Sequence, residues 1–397
     1  MKKSLNMLEG NITELILLFF LPILCGSLFQ QLYNTVDAIV VGNFVGKEAL
    51  AAVGGSTGTV INLLVGFVVG LASGATVVIA QYYGNHELEG VEKGVYSSMF
   101  LAILGAVLTI LGIAFTPWIL DLLKVPEDIM DYSITYMRIF LVGMIPSLIY
   151  NNGSGILRAI GDSKRPLYFL IASCITNIVL DIVFVIFFHW GVAGVAIATT
   201  IAQVVSALLT LRVLSSTTDS YAFHLSKLTF DSKVLLHIIE IGFPVGIQSC
   251  LYCVANLFIQ TSVNGYGTDT VAAYTAFGKI DALFWNTSGA LGQAVLTFCG
   301  QNFGAGKIDR VKKGIHTGTI MYFIGAATIS LICYFGGSIL YHLFTRSGSH
   351  PHWHGNSTIH LSSMGNILLC RNLIFKYPCL WRFVYSNSNY CALYWCI

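Results

Sequence analysis

The sequence predicts an all-α polytopic membrane protein of two six-helix lobes related by a parallel repeat, with the second lobe incomplete in this chain. Three observations carry that prediction. Of the 397 residues, 55% are hydrophobic and only 10% are charged, and mean hydropathy is +0.73. Soluble domains carry about 25% charged residues. Apolar stretches long enough to cross a bilayer recur nine times, and a polar loop pattern returns late in the chain at a nearly constant offset.

So apolar a chain, with 39 Gly, 25 Phe and 19 Tyr, is neither a soluble enzyme nor a disordered segment. A net charge of +2 gives no footprint for nucleic acid. The ten cysteines are scattered, with no pair of CxxC motifs. The first six, Cys25, Cys174, Cys250, Cys253, Cys299 and Cys333, read as small residues of a membrane core.

A spanning helix needs about 20 mostly apolar residues. The spans fall at 14–42, 52–80, 94–117, 131–157, 166–189, 192–213, 237–264, 271–299 and 314–343, and the last leaves room for the start of a tenth. The first is no cleaved signal peptide, because Gln30, Gln31, Asn34 and Asp37 stand where small residues belong. Lys2 and Lys3 precede the first span. Arg158, Lys164 and Arg165 follow the fourth. Arg212, Lys227 and Lys233 follow the sixth, and Lys307, Arg310, Lys312 and Lys313 follow the eighth. The intervening loops hold only Lys47 and Lys124. This positive-inside pattern places the N-terminus in the cytoplasm of a multi-pass protein of the inner, cytoplasmic membrane.

The loop after the second span reads Gln81-Tyr82-Tyr83-Gly84 and then Val91-Glu92-Lys93-Gly94. The loop after the eighth reads Gln301-Asn302-Phe303-Gly304 and then Val311-Lys312-Lys313-Gly314. Upstream, Pro22 and Asn34 correspond to Pro244 and Asn256. Apolar matches between membrane helices are cheap, but a polar loop held in register is not. Six spans separate matching points, so the copies run parallel about an axis along the membrane normal. The division is then 1–215 for the N-terminal lobe, 216–345 for the first part of the C-terminal lobe, and 346–397 for a tail of different character.

That tail contains no Asp or Glu, but holds four of the ten Cys and three of the six Trp. His350, His352 and His354 suggest a metal site, but no acidic or cysteine partner stands at ligand spacing, so no metal is assigned. The first copy has Leu157-Arg158-Ala159-Ile160-Gly161-Asp162-Ser163 ending in Pro166. Its expected counterpart, starting at Tyr377, shows no resemblance. Read one base later, the codons for 377–386 permit Ile-Arg-Ala-x-Gly-Asp-Ser-x-x-Pro, and Trp381, with its single codon, compels the Gly. The tail therefore reads as out of frame from about Arg346.

Ionisable residues inside spans are costly and point to function. Gln30, Asn34 and Asp37 stand at i, i+4 and i+7 of the first span; Asn177 and Asp181 are four apart in the fifth; Thr199 lies in the sixth. Their oxygens suit a proton or a hard cation such as Na⁺. In the second lobe Gln248, Asn256 and Gln260 form a polar stripe, and Asp281 lies two residues from Lys279, a spacing at which side chains on a helix do not meet. The stripe serves a substrate cavity or hydrogen bonding between helices equally well. Pro22 and Pro244 are matched candidates for bending.

These residues resemble the multidrug and toxic compound extrusion (MATE) family. The run Gln30 to Asp37 with Gly42 and Gly46, the loop Gly300 to Ala305 and the loop Arg158 to Pro166 all look like its motifs, and the resemblance covers about 1–345. It implies cation-coupled antiport, by H⁺ or Na⁺, of organic and often cationic compounds, with no other cofactor and a monomeric chain among membrane lipids. It places Asp37, Asn177, Asp181 and Thr199 in the coupling cluster. One alternative is a lipid-linked precursor flippase of the same superfamily, which would want a cationic cavity, and only Lys279 is placed to contribute. Another is an inactive truncated transporter. No nucleotide loop or paired nucleophile and base supports an enzyme.

Resequencing the gene across the codons for 340–350 is expected to show a one-base change near codon 346 and an open frame continuing past codon 397. A clean read of the same tail, in a strain where the protein exports drug, would overturn the out-of-frame reading.

Overall fold

The computed structural model describes residues 5–123, 125–264 and 268–344. Ten α-helices run through them: α1 Ile12–Phe44, α2 Lys47–Gly54, α3 Ser56–Gly84, α4 Leu88–Leu122, α5 Glu127–Ala159, α6 Lys164–Asp181, α7 Gly191–Ser216, α8 Ser232–Asn264, α9 Thr268–Gly304 and α10 Ile308–Phe344. The nine long ones correspond one to one with the nine spans. Seven stretches among the described residues are long and apolar enough to cross a membrane. No strand occurs among the described residues, as hydrocarbon demands, because a helix pairs its backbone groups within one segment. α4 turns Leu104, Val107, Leu108, Leu111, Phe115 and Trp118 outward, the exposure expected where the surrounding solvent is lipid.

The helix ends follow local chemistry. The Asn11 side-chain oxygen accepts from the backbone N–H groups of Thr13 and Glu14 at 3.0 and 3.4 Å and starts α1. α5 opens after Pro126 with Glu127 and Asp128 and closes with Arg158, which complements its dipole at both ends. α8 is capped by Asp231, whose carboxylate accepts from Val234 and Lys233 N–H; those bonds hold it below the usual carboxylate range. The connection before Asp231 lies along α4, with His224 N–H donating to the Tyr96 hydroxyl at 3.3 Å and Phe230 stacked on Phe100.

Three details differ from the sequence expectation. A short helix, α2, precedes the second span, and the break falls at Gly54-Gly55, where a Cβ on Gly55 would lie 2.6 Å from the Ala51 carbonyl oxygen. α10 is a single 37-residue helix, so no tenth span begins within it. Of the six cysteines assigned to the core, Cys174 and Cys299 are buried and Cys250 and Cys253 are half-buried, but Cys25 is exposed; the Cys333 side chain, like the whole tail from 345, lies outside the described residues.

α1 and α3 to α7 form the first lobe, and α8 to α10 are the described part of the second. Within the first, α5 packs on α4 and α7, and α6 packs on α7 and α1. The lobes meet along two reciprocal seams. α3 lies on α8, where Gly70 and Gly74 face Gly246 and Gly242; a Cβ on Gly70 would lie 2.4 Å from Gly246 N. α1 lies on α9 through Leu15, Ile16, Phe19, Leu291, Ala294 and Phe298. At the end of the bundle that bears the Lys- and Arg-rich loops, here called the basic end, the C-termini of α3 and α9 cross. A Cβ on Gly84 would lie 1.9 Å from the Gln301 carbonyl oxygen, and one on Gly304 would lie 1.9 Å from that of Gln81. The two copies of the repeat thus meet at their corresponding residues, and both helices arrive from the same direction, as a parallel repeat requires.

Gly84→Ala and Gly304→Ala are each expected to destabilise the protein by about 1–3 kcal/mol through overpacking. Gly325→Ala, with nothing within 4 Å of its Cβ position, serves as the neutral control. Melting in detergent checks this, and coincident midpoints for all three would show that the crossing is not close-packed.

Candidate functional site

Three helices of the first lobe bring four polar side chains to one buried point. α1 supplies Asp37 (7% exposed), α6 supplies Asn177 and Asp181 (both 0%), and α7 supplies Thr199 (6%). The Thr199 hydroxyl donates to Asp37 Oδ2 at 3.2 Å, and Asn177 Nδ2 donates to Thr199 Oγ1 at 3.3 Å. Asp181, one turn beyond Asn177 on α6, belongs to the same buried group. Asp37 Oδ1, Asn177 Oδ1 and both Asp181 oxygens are buried without a hydrogen-bond partner. Neither carboxyl group joins an ion pair among the described residues. Four unpartnered oxygens, three of them from the two carboxyl groups and one from Asn177, can hold a proton on one of the acids, or a small hard cation.

α6 ends at Asp181 and continues as one π-helical stretch, Ile182–Phe187. Such turns are rare and frequently mark functional sites. Phe188 N–H donates to the Val183 carbonyl at 3.1 Å, and the chain then reverses through His189 and Gly191, both at positive φ. Around that reversal Phe184 stacks on Trp190 and Phe188 lies tilted against it, with ring centroids 4.9 and 5.4 Å away.

A second polar rung lies one helical turn from the cluster. Gln203, four residues after Thr199 on α7, donates to the Tyr33 hydroxyl at 3.4 Å, and Gln30 donates to the same hydroxyl at 3.5 Å. Tyr33 stands four residues before Asp37, so Tyr33 joins Asp37 on the buried face. This alters one sequence expectation. Gln30 and Asn34 are both exposed, unlike Asp37, and the buried strip of α1 runs through Tyr33 rather than Asn34. Tyr33 and Gln203 escaped the sequence reading; the available signal was their spacing of four from Asp37 and Thr199.

Gln248 and Asn256 are half-buried on α8, which packs chiefly on α3. The structure does not gather them into the first-lobe cluster. The side chains of Gln260, Lys279 and Asp281 lie outside the described residues, as do His350, His352 and His354.

Comparison with known proteins decides the family. The MatE family model matches residues 22–183 and, a second time, residues 244–356. The chain belongs to the MATE family of multidrug efflux transporters. The two MATE matches begin at Pro22 and Pro244, the prolines paired by the internal repeat. The chain is 32% identical over 332 residues to the probable multidrug resistance protein YoeA of Bacillus subtilis, covering 81% of this chain and 72% of YoeA. It is 29% identical to the probable multidrug resistance protein YpnP of the same organism, covering 78% of this chain and 69% of YpnP. Among solved structures, an outward-facing multidrug resistance MATE transporter of the MOP superfamily superposes with a TM-score of 0.87 at 23% identity, over 96% of this chain and 86% of that one. That likeness extends the MATE fold to the arrangement of helices described above.

Thr199→Val removes the hydroxyl that joins Asp37 to Asn177. It is expected to lower stability by about 1–2 kcal/mol, while Thr199→Ser restores most of the loss. Thermal melting in detergent tests this; a Val variant as stable as the parent would show that the hydroxyl is not engaged.

Proposed function

We propose that the protein is a secondary antiporter that exports organic, often cationic compounds, driven by H⁺ or Na⁺ bound between Asp37 and Asp181. The observation that carries this reading is the buried pair of Asp37 and Asp181, with three of their carboxyl oxygens and Asn177 Oδ1 unpartnered and no lysine or arginine paired to either acid among the described residues. Two carboxylates in a low-dielectric site repel and are each desolvated, so one charge must be neutralised by a proton or balanced by a cation. Whichever ion occupies the site favours the packing of α1, α6 and α7 around it. Loss of that ion weakens this packing. An ion and a drug that prefer opposite conformations of the lobes are coupled by that difference alone.

In this reading the basic end faces the cytoplasm, the protein is a monomer of the cytoplasmic membrane, and no cofactor beyond the coupling ion takes part. The structure is then the state closed at the cytoplasmic side. Gln30 and Asn34 on α1, and Gln248 and Asn256 on α8, lie on the seam helices and are the residues proposed to meet substrate, and the same role is proposed for Gln260 and Asp281 from their sequence positions. The out-of-frame reading of 346–397 belongs to the same proposal. In its support, the second family match stops at 356 although the chain continues to 397.

In a version whose second lobe is restored in frame, Asp37→Asn and Asp181→Asn are each expected to reduce ion-driven efflux of a fluorescent cation to background while insertion and melting stay near the parent's. The 397-residue chain itself is expected to insert without exporting. Efflux from the Asp37→Asn variant at the parental rate would remove Asp37 from the mechanism.

A further inference from the structure

The sequence repeat draws attention to what the two copies share at the basic end. The structure shows that the residues they do not share are joined to the N-terminal segment. Positions 82 and 90 of the first copy are Tyr and Gly, and the Tyr82 ring covers Gly90, where a Cβ would lie 2.4 Å from it. The corresponding positions of the second copy, 302 and 310, are Asn and Arg. There Arg310 Nε donates to Asn302 Oδ1 at 3.0 Å. The same two positions touch in both copies, but by an apolar contact in one and by a polar pair in the other.

That polar pair grips residues 5–10. Asn302 Nδ2 donates to the Met7 carbonyl at 3.0 Å, and Arg310 donates to the carbonyls of Gly10 at 3.1 Å and Met7 at 3.4 Å. Lys307 Nζ reaches the Leu8 carbonyl at 3.0 Å. The Met7 side chain is 0% exposed and packs in the cluster that contains Phe298, Cys299 and Val311 of the second lobe. The other end of the segment lies on the first lobe. Leu5 N–H donates to the Gly161 carbonyl at 3.0 Å, and Gly161, at φ +90°, has room for no Cβ, which would lie 2.4 Å from the Leu5 carbonyl oxygen. Six residues thus cross from the loop after α5 to the loop after α9. Beside them Gln301 Nε2 of the second lobe donates to the Ala159 carbonyl of the first at 2.6 Å.

We infer that Asn302 and Arg310 are positioning residues for transport, which hold residues 5–10 across the basic end as a latch that must release before the two lobes part there. The inference rests on the alternating-access reading proposed above. Three features support a releasable bond rather than a permanent one. The acceptors are backbone carbonyls and one amide oxygen, and among the described residues no carboxylate pairs with the Arg310 guanidinium. Lys307 is exposed and Arg310 half-buried, so water can replace the carbonyls as their partners, and only Asn302, fully buried, must leave its site for the segment to lift. And the latch continues through the Asn11 cap into α1, the helix that carries Asp37, so it is attached to the element on which the coupling ion acts.

The test is a distance between the lobes. In the 397-residue chain with its native cysteines replaced, spin labels go on Glu92→Cys and Lys312→Cys, which are exposed, repeat-related positions of the two lobes at the basic end. Pulsed dipolar spectroscopy on the parent should give one short distance, with any open population about 10% or less. Arg310→Ala, Asn302→Ala and deletion of residues 2–9 should each raise a longer-distance population several-fold. A second pair inside the first lobe, Glu92→Cys with Arg212→Cys, must stay unchanged. An unaltered interlobe distance in the deletion variant would overturn the latch. Broadening of both pairs would overturn it too, as it would show lost fold rather than opening. The measurement needs no ion gradient and no drug, so an Asp37→Asn variant that still exports would count against the coupling site and leave this result standing.

Discussion

Two carbonyl oxygens set how closely the halves of this protein can approach. Those of Gln81 and Gln301 each occupy space that any side chain at Gly304 or Gly84 would need. Lipid tails are as apolar as leucine, so helices in a bilayer gain little from hiding apolar surface against each other, and close backbone approach matters more. At the crossing of α3 and α9 this approach is carried to backbone contact, and it is reciprocal. Reciprocity at corresponding residues is what an axis of pseudo-symmetry produces, and the axis then places the other seams. α3 lies on α8 through facing glycines, and α1 lies on α9 through Ile16, Phe19 and Ala294.

The polar cluster is the opposite kind of feature. Nothing in the packing requires Asp37 and Asp181, and buried polar atoms without partners are expensive. Six others are scattered among the described residues, but four gather here between three helices of one lobe, a concentration that packing does not call for. The cluster is also confined to that lobe, while the helix that carries Asp37 is not. The first half of α1 packs with α9, and its second half packs with α6 and α7 around Thr199. α1 is therefore the element through which a change at the cluster reaches the seam, with Pro22 between the two halves.

How much was legible in the sequence follows from the solvent. Nine helices could be placed because hydrocarbon forces each crossing to be apolar and about the same length. Asp37, Asn177, Asp181 and Thr199 stood out because polar atoms are rare in such stretches. What escaped were features with no contrast against that background. α2 is eight residues, Lys47–Gly54, whose apolar part continues into the second span with only Gly54-Gly55 to mark the break. The π turn after Asp181 is spelled Ile-Val-Phe-Val-Ile-Phe, the same letters as any spanning helix. Tyr33 and Gln203 become partners only when α1 and α7 meet across 170 residues. Asn34 was grouped with Asp37 by a spacing that Tyr33 satisfies equally well, and only packing chooses between them.

The internal repeat was legible only in the positions that its copies share. Alignment of two copies rewards identity, so Gln81 with Gln301 and Gly84 with Gly304 were visible, and they do form the symmetric crossing. But a chain has one N-terminal segment and two copies of the repeat, so contacts to that segment cannot be symmetric. The residues that bind the single N-terminal segment must differ between copies, and Asn302 with Arg310 against Tyr82 with Gly90 is where they do. Shared positions in such a repeat report the frame on which the lobes turn, and unshared polar positions in contact with unique segments report what holds or releases that frame. By that reasoning the first lobe contains the buried carboxyl cluster and the second contains the residues that hold the N-terminal segment, and α1 with that segment joins them.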